Sequence, residues 1–168
     1  MPFQKIALET FAASRFVTLK DDWALVSAGT EQEFNTMTIG WGTIGCMWHK
    51  PVVTVFIRPQ RYTKEYLDSH DTFTVSFFPK EYRKALEILG AISGRDGDKI
   101  TKSALTPFFI DGTVTFEEAC TVILCSKLYG GQQLDASKFT DPGLDTKYYP
   151  DKDYSFIYFG EIIKVFQS

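Results

Sequence analysis

The chain has 168 residues, a length typical of one domain, and 44% of them are hydrophobic, enough to form a core without disulfides or metals. Its formal net charge of −3 provides no concentrated basic face, which argues against nucleic acid or an anionic membrane as a partner. Aromatic residues make up 15% of the chain, a content that favours strands and pockets for flat ligands.

The N-terminal segment, MPFQKIALETFAASRF, lacks the charged region and long apolar core of a signal peptide. No apolar run approaches the roughly 20 residues that cross a bilayer. The three cysteines, Cys46, Cys120 and Cys125, cannot all pair and form no CxxC motif, which favours free thiols in a reducing compartment. We therefore expect one cytoplasmic domain over residues 1–168.

Four short segments in the first half of the chain predict β-strands. They are rich in β-branched or aromatic residues and are bounded by Gly, Pro or Asp. In the last of them, Phe73, Val75 and Phe77 fall on one face, an alternation typical of a half-buried antiparallel sheet. The four segments are Trp23–Gly29, Asn35–Trp41, Val52–Arg58 and Thr72–Phe78.

Two helices are predicted in the same part of the chain. The first is short and covers Thr63–His70. The second covers Pro79–Ser93, where Tyr82, Leu86 and Leu89 recur at helical spacing and a proline supplies the start.

The second half of the chain predicts two more strands. The segment EEACTVILCSKLYG admits a helical stripe, but the β-branched run Thr121–Ile123 favours a strand. Tyr154–Phe166 is predicted as a long strand bent or bulged at Gly160, and the turn-rich Thr140–Asp153 as a surface loop. Because the spacings between strands are too short for helical crossovers, we predict a mainly-β fold, an antiparallel, Greek-key-like barrel with flanking helices.

The run Gly40–Gly45 spells GxGxxG, the dinucleotide-binding fingerprint of a Rossmann domain. That motif works only where its last glycine opens a helix whose N-terminal N–H groups hold the pyrophosphate. Here Pro51 follows six residues after Gly45 and the next run is a strand, so no crossover helix fits. We therefore reject a Rossmann site, and interpret the glycines as points where another segment or a flat ligand approaches the backbone.

The strand before these glycines carries the polar residues Asn35, Thr36 and Thr38 beside Met37 and Trp41. Their side chains can bond the polar edge of a flat ligand. They fit equally a structural alternative, threonine pairs across two strands with glycines at a bend, which composition alone favours.

The segment RPQRYTKEY is a candidate anion site. Arg58 ends a strand, Pro59 turns the chain, and Arg61, Tyr62 and Thr63 lead into a short helix. Free N–H groups at the helix start, a hydroxyl and two guanidinium groups are the combination that a phosphate dianion needs. The commoner alternative is a threonine N-cap with two solvated arginines.

Other charged groups suggest little further chemistry. The loop SGRDGDK, Ser93–Lys99, is either solvated or a flap over a ligand phosphate that uses Arg95 and Lys99. His49 and His70 are isolated from other ligand types, so we expect no metal site.

The segments NTMTIGWGTIGCMWHKPVVTVFIRPQRYT, SGRDGDK and YFGEI, in this order, resemble the flavin reductase-like family, the FMN-binding split barrels that include flavoredoxin. The likeness runs from about Trp23 to Val165. It implies a homodimer of six-stranded split barrels with flanking helices and FMN at or near the subunit interface. It also implies an oxidoreductase that passes electrons through FMN, with NADH or NADPH as possible co-substrate.

The resemblance further implies which residues hold FMN. The strand Asn35–Thr38 would line the isoalloxazine, the Trp48–Pro51 segment would lie close to it, and the Arg58–Thr63 segment would hold the ribityl chain and phosphate. No protein catalytic group is implied, because the flavin carries the redox chemistry. The implied cofactor-binding residues are Asn35, Thr36, Met37, Thr38, Trp41, Trp48, Lys50, Arg58, Arg61, Tyr62, Thr63 and Lys99.

One position departs from the family pattern. Ser155 falls where many reductases of the family carry the histidine of a GDH triplet, close to the nicotinamide. Two alternatives to the NAD(P)H-dependent enzyme therefore stay open. One is a non-enzymatic FMN-binding electron carrier similar to flavoredoxin, and the other is a split barrel that has lost FMN.

Overall fold

The computed structural model of the chain describes residues 4–5 and 16–168. Strands and α-helices alternate irregularly along this part of the chain, with short 3-10 helices at Lys80–Tyr82 and Ala136–Lys138. In chain order the elements are β1 Gln4–Lys5, α1 Phe16–Asp21, β2 Ala24–Gly29, β3 Phe34–Ile39, β4 Gly42–Met47, β5 Lys50–Ile57, α2 Thr63–Ser69, β6 Thr72–Phe77, α3 Arg83–Ala91, α4 Lys99–Ser103, β7 Pro107–Ile110, β8 Thr113–Phe116, β9 Thr121–Gln133, α5 Pro142–Tyr148 and β10 Phe156–Gln167.

The strands build an antiparallel sheet with the order β3-β2-β6-β9-β10-β5-β4, and β1 pairs with β10. Strands β7 and β8 form a separate hairpin. The sheet is not closed, because β3 and β4 end the path without pairing to each other. This eight-stranded sheet confirms the predicted antiparallel β class, although the resemblance implied six strands.

The connection from β3 to β4 explains why this open sheet is barrel-like. Seven strands laid flat would separate β3 from β4 by about 29 Å. Only Gly40 and Trp41 join them, and three peptide steps span at most about 11 Å. The sheet must therefore curl until its edge strands β3 and β4 lie close together. The connection Gly40–Trp41 crosses the gap between these two strands.

Both faces of the central strands are buried, in two separate clusters. Val26 of β2 and Phe73 of β6 belong to the cluster inside the curled sheet. The neighbouring Leu25 packs instead in the second cluster, with Leu86 and Leu89 of α3. Alternate residues of one strand thus serve two cores, one within the sheet and one beneath the helices.

The predicted irregularity at Gly160 is confirmed. The register of β10 against β9 shifts between Phe159 and Gly160. A Cβ atom at Gly160 would collide with the ring of Phe73 and lie 2.7 Å from Cys125 Cβ. The glycine is needed because the side chains of Phe73 on β6 and Cys125 on β9 fill the space beside it.

The GxGxxG run covers the β3–β4 connection and the first four residues of β4, and a strand follows it where a Rossmann motif needs a helix, which confirms that it is not such a motif. Strand β4 pairs directly with β5, and the two residues between them, Trp48 and His49, have φ angles of 53° and 57°. Two positive φ angles in a two-residue loop are typical of a type I′ turn, whose twist matches the flanking strands.

The other predicted elements agree with the structure within one or two residues at most ends, with one exception. The predicted surface loop Thr140–Asp153 is wrong in part, because it contains the helix α5. Asp141 caps this helix by accepting a hydrogen bond from Gly143 N, and Pro142 opens it. No helix within the described residues is long and apolar enough to span a membrane.

Candidate functional site

Two adjoining cavities lie between β3, the end of β5 and the segment after α3. The larger has a volume of about 460 Å³, and the smaller of about 180 Å³. Met37, Arg58 and Arg61 line both, so the two cavities share a wall. Of the other predicted residues, Tyr62, Thr63 and Lys99 line the larger cavity, and Thr38 and Trp41 line the smaller one.

Arg61 and Lys99 bring positive charge to the larger cavity. Arg61 Nη1 donates to the main-chain oxygen of Gly90 at 2.5 Å, and Lys99 Nζ donates to that of Thr36 at 2.6 Å. Neither cation has an ion-pair partner among the described residues. Asp96 also lines the cavity, but it is exposed and pairs with neither cation.

The environment of these two cations disfavours their charge. Lys99 is only 3% exposed. Burial, and secondarily the charge of Arg61, lowers the pKa of Lys99 to about 8. Burial, and secondarily the charge of Arg58, lowers the pKa of Arg61. An anion in the cavity would offset both effects, because it favours the charged form of each group.

The loop SGRDGDK divides between the cavity and the surface. Lys99 begins α4, and Asp98 caps that helix by accepting from Thr101 N at 3.0 Å. Arg95 does not line either cavity, because it forms an ion pair with Glu65 and lies 4.4 Å from the centre of the Tyr62 ring. Lys99 is therefore the cation of this loop that reaches the site.

Asn35 and Thr36 do not line the larger cavity but hydrogen-bond to residues that do. Asn35 is buried, and its Nδ2 donates to Thr63 Oγ1 at 3.1 Å. The hydroxyl of Thr36 bonds to Ser27 Oγ at 2.7 Å, so only its main-chain oxygen reaches the site, through Lys99. Both residues thus position other groups and do not line the cavities.

The interpretation of Thr63 as an N-cap is wrong. Helix α2 begins at Thr63, and Tyr62 occupies the cap position without a side-chain cap hydrogen bond. Gly94 packs against this corner so closely that a Cβ atom there would lie 2.7 Å from Asn35 Oδ1. The corner is therefore tightly packed, and Thr63 is held by Asn35.

Arg58 contacts the end of α5 and the residues that follow it. Its Nη1 donates to Asp153 Oδ1 at 2.5 Å, and its Nη2 donates to the main-chain oxygen of Tyr148 at 2.6 Å. Its guanidinium carbon lies 4.6 Å from the centre of the Tyr149 ring. Arg58 therefore links Tyr148 and Asp153 to the end of β5. It lines both cavities, but Asp153 already balances its charge.

An aromatic cluster from the same segment lies beside the smaller cavity. Trp41 meets Tyr148 and Tyr149 edge-on, with ring centres 5.5 Å and 6.3 Å apart. Phe139 stacks on the other side of Tyr149 at 5.9 Å. Sequence reasoning missed this cluster because the segment was interpreted as a loop, although its aromatic density was visible.

Ser155, the residue that departs from the family pattern, lines the smaller cavity. It is fully buried, and its Oγ lies 3.1 Å from the hydroxyl of Tyr149. Across the cavity, the Thr38 hydroxyl donates to the main-chain oxygen of Leu86. The smaller cavity thus combines aromatic walls with a hydroxyl group.

Trp48 and Lys50 do not reach these cavities in one chain. They lie at the opposite end of β5 from Arg58, about 26 Å away along an eight-residue strand. Lys50 forms an ion pair with Glu161 at 2.6 Å, and Trp48 is 56% exposed. The other ten predicted residues line the two cavities or contact the residues that do.

Histidines take no part in the site. His49 lies in the β4–β5 turn, and His70 follows α2 and stacks on Tyr66. In the part of the chain that the structure describes, no three His, Cys, Asp or Glu residues cluster as metal ligands do.

Solved structures share this fold. An FMN-binding domain of a flavin reductases-like enzyme from Shewanella baltica is 16% identical, with 99% of this chain and 77% of that chain covered and a TM-score of 0.71. Flavoredoxin of Desulfovibrio vulgaris is 21% identical over 98% and 77%, with a TM-score of 0.66. An NADH:FAD oxidoreductase of Streptomyces globisporus, in complex with NAD and FAD fragments, is 17% identical over 88% and 74%, with a TM-score of 0.63.

Sequence comparison identifies the family directly. No curated protein sequence matches the chain. The family described as flavin reductase like domain, however, matches residues 18–138, which is well over half of the chain. The chain therefore belongs to the flavin reductase-like family.

Proposed function

We propose that the protein binds FMN, with the phosphate in the larger cavity, and acts as a flavin-dependent oxidoreductase. The observation that carries this proposal is the pair of the half-buried Arg61 and the buried Lys99, two cations without a carboxylate partner among the described residues. A phosphate dianion complements them in charge and accepts hydrogen bonds from both. The volume of about 460 Å³ falls within the range of cofactor pockets.

The residues around the cavity fit such a ligand. Arg61 and Lys99 would hold the phosphate, with the Thr63 hydroxyl beside them and Asn35 keeping Thr63 in place. Arg58 would act mainly by holding Tyr148 and Asp153 near Trp41. This arrangement would limit the access of water to the bound ligand. When bound, the flavin supplies the hydride and electron chemistry, so the protein contributes binding, orientation and charge.

Two functions remain candidates for the loaded protein. The names of the Streptomyces relative and of the family favour an NAD(P)H-dependent enzyme. Ser155 and the absence of a histidine from the lining of both cavities in the described chain favour an electron carrier similar to flavoredoxin. Anaerobic mixing of the FMN-loaded protein with NADH or NADPH separates them. Rapid bleaching of the flavin absorbance indicates the enzyme, and a stable spectrum indicates the carrier.

We further propose that two copies form a homodimer through the outer face around Phe159. Trp48 and Tyr129 pack on this ring and are exposed, and Ile163 of the same strand and Met47 of β4 are further exposed apolar residues. Apolar side chains grouped on an exposed sheet face are typical of an interface. A dimer also gives Trp48 and Lys50 a route to flavin, that of the second subunit. Light scattering after size exclusion, with Phe159→Asp as the disrupting variant, measures this.

FMN titration with flavin fluorescence tests the binding site. We expect saturable quenching at micromolar protein or below. Arg61→Gln and Lys99→Met should each weaken binding about 10- to 100-fold, because each removes a charged hydrogen bond to the phosphate. Arg83→Gln is the matched control, since that arginine lies on the ring of Trp23 at a different cavity. Unchanged affinity in both site variants would exclude the larger cavity as the phosphate site.

A further inference from the structure

Another cavity lies between the end of α1 and the start of α3. Its volume is about 330 Å³, within the range of about 300–1,000 Å³ that is typical of small-molecule pockets. It shares no lining residue with the two cavities of the candidate functional site. The proposed flavin chemistry makes no use of it, so its lining residues call for an explanation of their own.

Charged side chains of both signs line this cavity without pairing with each other. Asp21 ends α1, Asp22 follows it, and Lys80 lies just before α3. None of these three side chains has an ion-pair or hydrogen-bond partner in the part of the chain that the structure describes. Asp21 and Lys80 are exposed and Asp22 is half-buried, so all three are open to a ligand.

Arg83 adds a second cation, and the fold holds it in place. Its Nη1 donates to the main-chain oxygen of Asp21 at 2.7 Å, and its guanidinium group lies over the ring of Trp23. Its Nε lies 3.9 Å from Glu87 Oε1, an exposed contact of little strength. Within the described residues its Nη2 has no hydrogen-bond partner. Because the guanidinium group is already fixed, a carboxylate that binds its free N–H groups costs little side-chain entropy.

The ring on which Arg83 lies belongs to a residue with a strained backbone. Trp23 has a φ of 64°, in the left-handed region that bulky residues rarely adopt. Such strain persists only where surrounding contacts hold it, and it is concentrated at ligand sites and switch regions. The strained residue therefore lies directly beneath the cation that lines this cavity.

Apolar side chains close the bottom of the cavity. Phe78 and Leu86 line it and are buried in the core cluster that includes α3. Pro79 also lines it and is half-buried. Because the charged residues are more exposed than Phe78 and Leu86, the cavity has a charged rim and an apolar bottom.

These features select a small molecule that carries both charges and an apolar group. An anion without a positive group would face Asp21 and Asp22, and a cation without a negative group would face Lys80 and Arg83. Like charges placed together are unfavourable, so either ligand would bind weakly. A free α-amino acid with an apolar side chain has both charges at one end and its apolar group at the other, which matches the rim and the bottom together.

We propose that this cavity binds a free α-amino acid with an apolar side chain. The carboxylate of the ligand pairs with Lys80 and Arg83, and its ammonium group pairs with Asp21 and Asp22. The apolar side chain lies toward Phe78. This site goes beyond the proposed function, because none of its residues belongs to the flavin site and it needs no flavin.

Calorimetric titration of the protein at neutral pH with three matched probes tests this site. L-phenylalanine carries both charges, phenethylamine lacks the carboxylate, and 3-phenylpropanoate lacks the ammonium group. The ring fits, since an apolar cavity of about 150 Å³ is known to hold benzene. We expect saturable binding of L-phenylalanine with a Kd of about 1 mM or below. Each of the other two probes should bind about 10-fold more weakly or worse, because each lacks one charged hydrogen-bonding group.

Variants at the rim show which residue binds which charge. Lys80→Met should weaken L-phenylalanine binding about 10-fold and leave phenethylamine binding unchanged. Asp21→Asn combined with Asp22→Asn should weaken L-phenylalanine binding by a similar factor and should not weaken 3-phenylpropanoate binding. Lys84→Met is the matched control, because Lys84 is exposed one helical turn further along and does not line the cavity. Thermal unfolding checks that each variant is folded.

The outcomes separate this site from the flavin site. A lack of saturable L-phenylalanine binding, equal affinity for the three probes, or an affinity that Lys80→Met does not change overturns the proposal. Binding that Arg61→Gln weakens and Lys80→Met does not also overturns it, because the amino acid then occupies the flavin cavity. Saturation with FMN should leave L-phenylalanine affinity unchanged. If FMN does not bind and L-phenylalanine still binds through Lys80, the flavin site fails and the amino-acid site is supported.

Discussion

Replacing Lys99 with methionine separates what this residue does for the fold from what it does for a ligand. The side chain is 3% exposed, and its Nζ has one protein partner among the described residues, the main-chain oxygen of Thr36. Methionine has a similar length and no charge, so it fills the same space without the cost of a buried ammonium group. We expect Lys99→Met to stabilise the ligand-free protein while it weakens FMN binding.

The expected gain in stability follows from the pKa of Lys99, which burial lowers from the ordinary value of 10.5 to about 8. That difference corresponds to about 3 kcal/mol that the protein loses by keeping the buried ammonium group charged at pH 7. The variant also loses the hydrogen bond from the charged ammonium group to the main-chain oxygen of Thr36, worth about 1.5–3 kcal/mol. The free energy of unfolding should therefore rise by about 1 kcal/mol.

The sign of the pH dependence is set by which state binds more protons. Between pH 8 and pH 10.5 the lysine is protonated in the unfolded chain and neutral in the folded one. The free energy of unfolding of the wild type should therefore rise with pH through that window. Below pH 8 the destabilisation caused by the buried charge of Lys99 should be fully present. Lys99→Met lacks this component, so its advantage over the wild type should shrink at high pH.

Urea denaturation at pH 7 and pH 9.5, without FMN, measures the effect. The difference between the two proteins is the quantity to follow, because burial also raises the pKa of Cys125 and lowers stability at alkaline pH in both. A variant less stable than the wild type at pH 7, or an advantage that does not change with pH, would refute the reasoning. Matched FMN titrations should show wild-type affinity falling above pH 8 as Lys99 loses its proton.

Two further predictions concern the backbone. His49→Gly in the β4–β5 turn should raise the free energy of unfolding by about 0.5–1 kcal/mol, because the residue has a φ of 57° and glycine adopts such angles without strain. A lower urea midpoint would contradict this. Gly160→Ala should cost about 3 kcal/mol or more, because its Cβ meets the ring of Phe73. Thermal unfolding measures this cost, and a change below 1 kcal/mol would show that the ring moves away freely.

Local patterns in the sequence predicted most of the sheet. The alternation of Phe73, Val75 and Phe77 is a property of neighbouring residues, and the strand Thr72–Phe77 follows it. The GxGxxG run could be rejected because Pro51 lies too close for a helix, which is also local information. The helix α5 was missed because its proline and glycine are as common in turns as at a helix start, and only its packing on Trp41 distinguishes the two.

The site was harder to predict than the fold because it depends on distant partners. The sequence suggested that Arg58 and Arg61 were equivalent, since both flank the same turn. Asp153, 95 positions further along the chain, pairs with Arg58 and leaves Arg61 without a carboxylate. Lys50 begins the strand that Arg58 follows, and Trp48 lies in the turn before it, so both are at the far end of that strand. Proximity in sequence could not reveal either distinction.

The difference between Arg58, which has a carboxylate partner, and Arg61 and Lys99, which have none among the described residues, supports the proposal that the larger cavity binds an anion. A fold selected for stability alone would replace Lys99 or pair it, because an unpaired buried ammonium group costs free energy. Arg58 shows that the chain can supply a carboxylate where one is needed for structure. Arg61 and Lys99 line the same cavity from different loops and have no such partner in the described residues. Their retained charge supports the proposal that the phosphate of a ligand takes the place of the missing carboxylates.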